Sequence, residues 1–267
     1  MKCKVCRGAA IVQFPAHNAN FCAEHLDQFF VRQIEKTIRR HRMLAPRENV
    51  LVAVSGGKDS LVVADVLTRL GYEVRGLHVD LGIEDNGFSD QSLDICRRFF
   101  TDRGLLLEVF SLKSEFGKGI KDAGRRFDRF CSVCGMTKRH LMNARAVEQG
   151  VDALATGHHL DDLSAALFAN LLRWDLRYLA KGVPCLPPDD GFCRKIKPLA
   201  LVSEKETAAY AAMRGIEVVT ATCPFSREAK FKHYKELLSA VEQKSPGSKR
   251  AFYEGYVQTA ALFQGRD

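Results

Sequence analysis

The stretch Val50-Leu51-Val52-Ala53-Val54-Ser55-Gly56-Gly57-Lys58-Asp59-Ser60 decides the fold of this chain of 267 residues. Five apolar residues, three of them β-branched, predict a buried parallel strand over 50–54. Two glycines then predict a tight turn, and the amphipathic pattern of 58–71 predicts a helix. Such a joint directs free backbone N–H groups and the positive end of a helix dipole to one point. That point suits a phosphate group.

The glycine loop differs from the common nucleotide-binding motifs. A Walker A loop needs Gly, four residues and then Gly-Lys-Ser/Thr, but Val52 holds the first glycine's place and Asp59 follows the lysine. The GxGxxG pattern is also missing. The alternative is an ordinary strand-to-helix turn, although this hexapeptide directly after an apolar strand is much rarer than short Ser/Gly turns. We therefore predict that the loop binds phosphate, with hydroxyl donors and a cation from Ser55, Ser60 and Lys58.

Composition limits the class of protein. A hydrophobic content of 46% over 267 residues is enough for a substantial core. Apolar runs stay short of the ~18–20 residues of a membrane helix, and the N-terminal residues lack the apolar stretch of a signal peptide. We therefore expect a cytoplasmic protein whose nine cysteines are reduced or bound to metal, with no membrane partner. The formal charge of +8 suggests a polyanionic partner, although many basic proteins merely have solvated lysines.

Four potential metal ligands lie near the N-terminus. Cys3-x-x-Cys6 and Cys22-x-x-His25 form two paired half-sites with the spacing of a structural zinc site. The alternative is free thiols with a surface histidine, and His17 between the pairs is expected to be a loop residue. We predict Zn²⁺ on these four residues, in a module without a substantial core that its metal largely folds.

The rest of the chain alternates strand and helix. This pattern predicts an α/β fold with a doubly wound parallel sheet, whose ligands bind at the carboxyl ends of the strands. Helices are expected over 24–43, 89–103, 132–149, 159–173, 204–215, 226–243 and 248–263. Strands are expected over 73–79, 105–112, 153–156, 194–199 (an edge strand) and 216–220.

Polar residues follow two of these strands. His78 and Asp80 end one strand and would line a nucleotide-base pocket beside the glycine loop. Gly157, Asp161 and Asp162 follow another, where the carboxylates are within reach of Mg²⁺ bound to a triphosphate. The alternative for either aspartate is that it caps the following helix.

The remaining cysteines form one further pair. Cys131 and Cys134 are predicted at the start of a helix as a metal or redox pair, which alone is weak evidence. Cys223 lies far along the chain after a candidate strand. Cys96 is expected in the core. Cys185 and Cys193 lie in a loop over 182–193 that is expected to be mobile. Basic clusters over 39–42, 125–129 and 230–235 are candidate nucleic-acid contacts or solvated faces.

Taken in order, these motifs resemble a known family. Ser55–Ser60 is similar to the PP-loop of the ATP pyrophosphatases. Together with the zinc pairs, Cys131-Ser-Val-Cys-Gly135, Thr156-Gly-His-His-Leu-Asp-Asp162 and Cys223-Pro224, it resembles the tRNA 2-thiolation enzymes over nearly the whole chain. The N-terminal zinc module is similar to that of the 2-thiouridine branch. That branch commonly ends in a second module with two CxxC pairs, and no cysteine follows Cys223 in this sequence.

The resemblance implies a chemistry and its residues. ATP adenylates the C2 oxygen of a pyrimidine in tRNA, pyrophosphate leaves, sulfur attacks C2, and AMP departs. Cys131, Cys134 and Cys223 match the cysteines that hold a [4Fe–4S] cluster, and Lys138 and Asp161 match residues associated with the nucleotide and catalysis. The nucleotide-binding residues are then expected to be Ala53, Ser55, Gly56, Gly57, Lys58, Asp59, Ser60, His78, Asp80, Gly157, Asp161 and Asp162.

The resemblance also implies partners and divisions. The expected partners are tRNA and a sulfur donor (a sulfur-carrier protein, a persulfide or sulfide), with a homodimer as a candidate assembly. The expected parts are a zinc module (1–30), a linker helix (31–48), a PP-loop domain (49–222) and a C-terminal helical segment (223–267). Two alternatives stay open at this point. One is a PP-loop ligase or sulfurtransferase acting on a small molecule, and the other is an iron–sulfur, nucleotide-responsive binding protein.

Overall fold

A computed structural model describes residues 1–83, 87–120, 130–221, 223, 225 and 231–263. An N-terminal hairpin of β1 (Val12–Phe14) and β2 (Ala19–Phe21) precedes one central sheet. The sheet consists of β3 (Asn49–Val54), β4 (Glu73–Asp80), β5 (Leu106–Ser111), β6 (Ala153–Ala155), β7 (Cys185–Leu186) and β8 (Lys195–Ile196). Its spatial order is β5-β4-β3-β6-β8-β7, and every neighbouring pair is parallel except β7 and β8. The predicted α/β class with a parallel sheet is confirmed.

Helices cover this sheet and form the C-terminal part. They are α1 (Ala23–Arg40), α2 (Lys58–Arg69), α3 (Phe88–Asp102), α4 (Leu112–Phe116), α5 (Phe130–Glu148), α6 (Leu160–Arg173), α7 (Leu176–Ala180), α8 (Glu204–Met213), α9 (Lys232–Lys244) and α10 (Ser248–Thr259). Short 3-10 turns lie at Pro15–His17 and Ala260–Phe263. The helices expected over 58–71, 89–103, 132–149 and 159–173 are therefore confirmed as α2, α3, α5 and α6, with small shifts at their ends.

Strand β3 is buried on both faces, which explains its unbroken apolar sequence. Val50, Val52 and Val54 join the apolar layer formed with α1, α2, α3 and α8. Leu51 and Ala53 join the opposite layer, which α5 covers. Because helices cover both faces, a ligand can approach β3 at its ends. The loop that follows Val54 lies at one of these ends.

Two strand predictions near the C-terminal edge were wrong. Strand β8 is not an edge strand, because β7 pairs with it antiparallel on its outer side. The two-residue strand β7 lies in the Pro- and Gly-rich loop over 182–193, where an alternating apolar pattern is too short to detect. Residues 216–220 form no strand. They instead run past the glycine loop, where the Val219 N–H donates to the Gly56 carbonyl at 2.9 Å.

The N-terminal module has a small apolar core, contrary to the expectation from its sequence. Phe14, Phe21 and Leu26 are buried together, and the Phe29 ring stacks on Phe21 with centroids 4.5 Å apart. Met213 of α8 packs against the same cluster. The module is therefore attached to the sheet domain by apolar contacts as well as by the continuous helix α1.

The C-terminal helices α9 and α10 pack on α6. Tyr253 and Tyr256 of α10 are buried with Leu163 and Leu167 of α6. Among the described helices, none combines the length and the apolar character that a bilayer crossing needs.

Candidate nucleotide site and cysteine clusters

The glycine loop is held in one conformation by its own hydrogen bonds and by a close contact with α3. Gly56 has a φ of +72°, and a Cβ there would lie 2.9 Å from the Ser92 carbonyl oxygen. The Ser60 hydroxyl accepts from the Ser55 N–H at 3.2 Å and donates to the Gly57 carbonyl at 3.1 Å. The loop is thus fixed with the N-terminus of α2 at its end, as the sequence predicted for an anion site.

A cavity of about 390 Å³ opens beside this loop, at the carboxyl ends of β3, β4 and β6. Its walls contain nine of the residues predicted to bind the nucleotide or to act in catalysis. These are Ala53, Ser55, Gly57, Asp59, Ser60, His78, Asp80, Lys138 and Gly157. Among the described residues, the seven others predicted for these roles do not line the cavity; they are Gly56, Lys58, Asp161, Asp162, Cys131, Cys134 and Cys223.

Gly157 brings the loop after β6 directly against the N-terminus of α2. A Cβ on Gly157 would lie 2.7 Å from the Ser60 backbone nitrogen and 2.9 Å from the Asp59 carbonyl carbon. Contacts that short do not occur in proteins, so only glycine allows this approach. The loop after β6 and the glycine loop therefore form one continuous wall of the cavity.

Asp59 has an oxygen without a partner among the described residues. Its Oδ1 is buried and makes no hydrogen bond, while Oδ2 lies 3.3 Å from the Lys58 ammonium. Burial raises the pKa of Asp59, and the charges of His159 and Lys58 oppose that rise. A buried carboxylate oxygen normally has a hydrogen-bond or cationic partner. A bound cation such as Mg²⁺ fits this oxygen by charge and by ligand chemistry.

Lys58 is directed to acidic neighbours. Its ammonium lies 3.1 Å from Glu204 Oε1, in addition to Asp59. Burial acts to lower the pKa of Lys58, but the charges of Asp59 and Glu204 outweigh it and the pKa is raised. Lys58 therefore stays cationic at neutral pH, close to the loop that would hold phosphate.

His78 and Asp80, at the end of β4, line the cavity next to the end of β3. The His78 Nδ1 lies 3.1 Å from the Val54 carbonyl oxygen and must carry the proton, because a carbonyl only accepts. Burial lowers the pKa of His78, so the ring is neutral at pH 7. The Asp80 carboxylate accepts from the Gly82 N–H at 2.9 Å and from the Ser111 hydroxyl at 3.2 Å.

The two adjacent aspartates on α6 have different surroundings. Asp161 is buried, its Oδ1 pairs with the Lys249 ammonium, and its Oδ2 accepts from the Glu204 N–H at 2.8 Å. Burial acts to raise the pKa of Asp161, but these two hydrogen bonds outweigh it and the pKa is lowered. Asp161 thus joins α6 to α8 and α10, and its predicted role toward the nucleotide stays a prediction.

Asp162 is the aspartate nearer to the glycine loop. Its charge is one of the influences that raise the pKa of Asp59. Its Oδ2 accepts from the His159 N–H at 3.2 Å, so it caps α6, and its Oδ1 lies 2.5 Å from the Lys235 ammonium of α9. Burial acts to raise the pKa of Asp162, but His159 and Lys235 outweigh it and the pKa is lowered. Asp162 therefore combines the capping role with a position beside Asp59.

The three predicted cluster cysteines come together around the first described turn of α5. Cys131 and Cys134 occupy the first described turn of α5, and Cys134 and Cys223 pack against the same apolar cluster. The Cys131 thiol donates to the Phe225 carbonyl at 3.1 Å, which attaches the segment of Cys223 to α5. Burial raises the pKa of Cys134, Lys138 lowers it, and Cys223 and Cys131 add to the rise. The three thiols are thus close enough to influence each other electrostatically.

The donor set of these thiols fits an iron–sulfur cluster, because cysteine thiolates are the ligands that hold such clusters. Within the part of the chain that the structure describes, the sulfur atoms of these three cysteines do not all lie within 4.8 Å of one another, unlike the N-terminal ligand set. Lys138, one helical turn after Cys134, lines the cavity. One helix therefore carries the cysteine pair and, one turn later, a cation that lines the candidate nucleotide site.

The N-terminal ligand set is compact. The ligand atoms of Cys3, Cys6, Cys22 and His25 all lie within 4.8 Å of one another. Cys22 Sγ is 3.1 Å from His25 Nδ1 and 3.8 Å from Cys6 Sγ. Burial acts to raise the pKa of Cys3, but hydrogen bonds from the N–H groups of Cys6, Cys22 and Val5 bring it to about 6. His17 lies outside this set and pairs with Glu206 at 2.9 Å.

The basic clusters have mixed surroundings. Arg39 and Arg40 form ion pairs with Glu35 and Glu254 at 3.2 and 2.7 Å. Arg42 and His41 line an open groove near the sheet edge at β7. The Lys235 ammonium forms an ion pair with the Asp162 carboxylate. The predicted contacts over 125–129 and at residue 230 lie outside the described residues.

Some site residues were missed in the sequence. Gly135, Arg139 and Met142 of α5 line the cavity together with Lys138. Their spacing places them on one helix face, and a helical projection starting from Cys131 would have found them. Glu204 and Lys249, the partners of Lys58 and Asp161, are distant in sequence and gave no local signal.

The fold and the cavity together define the class. A parallel sheet with a Ser-Gly-Gly-Lys-Asp-Ser loop between strand and helix, opening on a cavity at the strand ends, is a nucleotide-binding α/β protein of the PP-loop type. Comparison with known proteins agrees, since a family model described as a PP-loop domain matches residues 26–222.

Individual relatives indicate the group within the PP-loop family. The tRNA-5-methyluridine(54) 2-sulfurtransferase of Thermus thermophilus is 44% identical over 259 residues, which are 97% of this chain and 80% of the relative. The protein of the same name from Pyrococcus horikoshii is 41% identical over 99% of this chain and 84% of the relative. The structure of the U34-tRNA thiolase NcsA from Methanococcus maripaludis, with its [4Fe–4S] cluster, superposes with a TM-score of 0.87 at 27% identity and covers 100% of this chain and 89% of that chain. The chain belongs to the PP-loop family, in the group of tRNA 2-thiolation proteins.

Proposed function

We propose that this protein is an ATP-dependent tRNA 2-sulfurtransferase that adenylates a uridine at its C2 oxygen and replaces that oxygen with sulfur. One observation carries the proposal. The glycine loop and the helix that begins with the cysteine pair face one cavity, with Ser55 on one wall and Lys138 on another. A phosphate site and a sulfur site are thus within reach of one bound base.

The glycine loop supplies the site for activation. The C2 oxygen of the base attacks the α-phosphorus of ATP, and pyrophosphate leaves. The backbone N–H groups at the start of α2 and the Ser55 hydroxyl bind the phosphates, where the helix dipole favours negative charge. Asp59, with its unpartnered Oδ1, and Asp162 beside it hold Mg²⁺ against the triphosphate.

Lys138, His78 and Asp80 position the reactants. The Lys138 ammonium stabilises the negative charge that develops on the α-phosphate. The neutral imidazole of His78 and the carboxylate of Asp80 border the space for the adenine. In the second step sulfur adds to C2, the C2–O bond breaks, and AMP leaves with the oxygen.

The three thiols Cys131, Cys134 and Cys223 hold a [4Fe–4S] cluster in this proposal. Such a cluster normally takes four cysteines, so these three would leave one iron without a protein thiolate, where an added sulfide could bind. The chain's own part is to present three thiolates near Lys138, whose charge opposes the rise that burial causes in the pKa of Cys134. The rival is a catalytic persulfide with a transient Cys131–Cys223 disulfide, which needs no iron.

The N-terminal ligand set holds a structural Zn²⁺ in this proposal. Three thiolates and one imidazole within 4.8 Å complete a tetrahedral site without an open position. Hydrogen bonds from backbone N–H groups outweigh burial and lower the pKa of the Cys3 thiol to about 6, which favours the thiolate that Zn²⁺ binds. The zinc ion therefore stabilises the hairpin and the start of α1, and takes no part in the reaction.

The base at position 54 of tRNA is the favoured substrate. Two relatives above 40% identity are named for 5-methyluridine at that position. A second candidate is U34, because the thiolase NcsA, which is named for that position, has the same fold at 27% identity. The sulfur donor, the homodimer and the cytoplasmic location expected from the sequence stay predictions.

The test follows the fate of ATP and of the tRNA nucleosides. With tRNA lacking thiolation, the protein should convert ATP to AMP and pyrophosphate only when tRNA is present. Mass spectrometry of the tRNA then separates 5-methyl-2-thiouridine from thiolated U34. Release of ADP and phosphate, or turnover that ignores tRNA, would contradict the proposal and favour a small-molecule substrate.

A further inference from the structure

Residues 216–221 form a strap that runs over the glycine loop towards Cys223. The strap has no regular secondary structure, yet it is attached at several points. Val218 and Val219 pack against the main apolar core, and the Val219 N–H donates to the Gly56 carbonyl at 2.9 Å. The last described attachment lies two residues before Cys223. It is made by Gln91 of α3.

Gln91 holds the strap with both ends of its carboxamide. Its Oε1 accepts from the Ala221 N–H at 2.9 Å, and its Nε2 donates to the Thr220 hydroxyl oxygen at 3.1 Å. The neighbouring Ser92 forms the close contact with Gly56. Helix α3 therefore touches the glycine loop and the strap through two consecutive residues.

We propose that Gln91 is a positioning residue that places Cys223 beside Cys131 and Cys134 and ties that placement to the glycine loop. This inference rests on the proposed function, since it gives the strap a role toward the three-cysteine site. After Cys223, the Phe225 carbonyl accepts from the Cys131 thiol, and the Phe225 ring lies against that of Phe130 with centroids 3.8 Å apart. Gln91 therefore holds the chain before Cys223, while α5 holds the chain after it.

A matched set of variants separates positioning from general stability. Gln91→Leu keeps a branched side chain, one carbon shorter, and removes both hydrogen bonds. Gln91→Glu keeps an acceptor for the Ala221 N–H and can also accept from the Thr220 hydroxyl, so it should behave like the parent protein. Arg98→Leu is the control, because Arg98 lies on the same helix and contacts the same strap through an exposed pair with Glu217 at 2.9 Å. Such exposed pairs contribute little.

The readout is the reactivity of Cys223 in the full chain, measured in reduced protein before any iron is added. The rate of alkylation at Cys223, relative to that at Cys131, is followed by peptide mass spectrometry. The loss of two hydrogen bonds in Gln91→Leu should raise this ratio at least about fivefold. Gln91→Glu and Arg98→Leu should leave it within about twofold, with unchanged melting temperature in all variants.

After anaerobic reconstitution, Gln91→Leu should also retain less iron per chain than the parent protein and bind ATP normally. An unchanged alkylation ratio in Gln91→Leu would overturn the inference, and so would an equal rise in Arg98→Leu or Gln91→Glu. Failure of the proposed function would give a different result. If the parent protein held no iron and did not thiolate tRNA, the alkylation ratios of the variants would still differ as described.

Discussion

The contact at Gly157 allows a sharp prediction about the nucleotide site. In Gly157→Ala the new Cβ would lie 2.7 Å from the Ser60 nitrogen and 2.9 Å from the Asp59 carbonyl carbon. Both atoms belong to the backbone at the start of α2, so no flexible side chain can move aside. Gly157 does not have a positive φ, so the clash is the only cost of the substitution.

The size of the effect follows from the separation that is required. An ordinary contact begins at 3.4 Å, so the loop after β6 and the glycine loop must move apart by about 0.7 Å. Overpacking of this kind typically costs about 1–3 kcal/mol. If the free protein relieves the clash by moving the loop, ATP binding must restore the original positions of the N–H groups. We therefore expect ATP affinity to fall by about 5- to 150-fold.

Calorimetric titration with ATP, together with urea denaturation, measures the two consequences. The control is Gly150→Ala, where φ is +60° and no atom lies within 4 Å of the new Cβ. This variant should lose about 1–2 kcal/mol of stability through backbone strain, with ATP affinity unchanged. If Gly157→Ala binds ATP within about twofold of the parent protein and is equally stable, the close contact does not shape the site.

Three further predictions concern the metal module, the adjacent aspartates and acid stability. Cys22→Ser should lose zinc, as measured by metal analysis, and retain most of its iron; unchanged zinc would reject the ligand set. Asp162→Asn should slow ATP turnover with little change in stability. Asp161→Asn should instead lower the urea midpoint, because it leaves the buried Lys249 without its carboxylate. If Asp161→Asn slowed turnover and Asp162→Asn lowered the urea midpoint, the two roles would be exchanged. Burial lowers the pKa of His78, so below about pH 6.5 the unfolded chain binds more protons than the folded protein. The contribution of the neutral His78 ring to the free energy of unfolding is therefore complete above about pH 6.5 and is lost as the pH falls below it. Urea midpoints should therefore drop below pH 6.5, less so in His78→Gln, and equal pH dependence in both proteins would contradict this cause.

The central part of the fold could be predicted because its signals are local. The apolar run over 50–54 must be buried on both faces, and the Ser203–Glu206 capping box marks the start of α8, as its hydrogen bonds confirm. The isolated Cys96 is buried in the core as expected, and burial raises its pKa to about 12. Local patterns of this kind need no knowledge of the rest of the chain.

The parts that could not be predicted depend on distant residues. The two-residue strand β7 exists only because β8 offers it a partner, and residues 216–220 have a strand-like composition yet bind the glycine loop. The difference between Asp161 and Asp162 is of the same kind. Their sequence positions are adjacent, but Asp161 pairs with Lys249 of α10 and Asp162 with Lys235 of α9, so distant residues set the surroundings of each carboxylate.

The most direct test of the proposed function measures thiolation and iron in one anaerobic sample. Protein purified without oxygen is examined by Mössbauer spectroscopy and then incubated with ATP, sulfide and unmodified tRNA, whose nucleosides are analysed by mass spectrometry. We expect about four irons per chain, one distinct from the other three. We also expect a 2-thiolated uridine with the parent protein and none with Cys223→Ala, which should still bind ATP. Full thiolation by iron-free protein would contradict the proposed function.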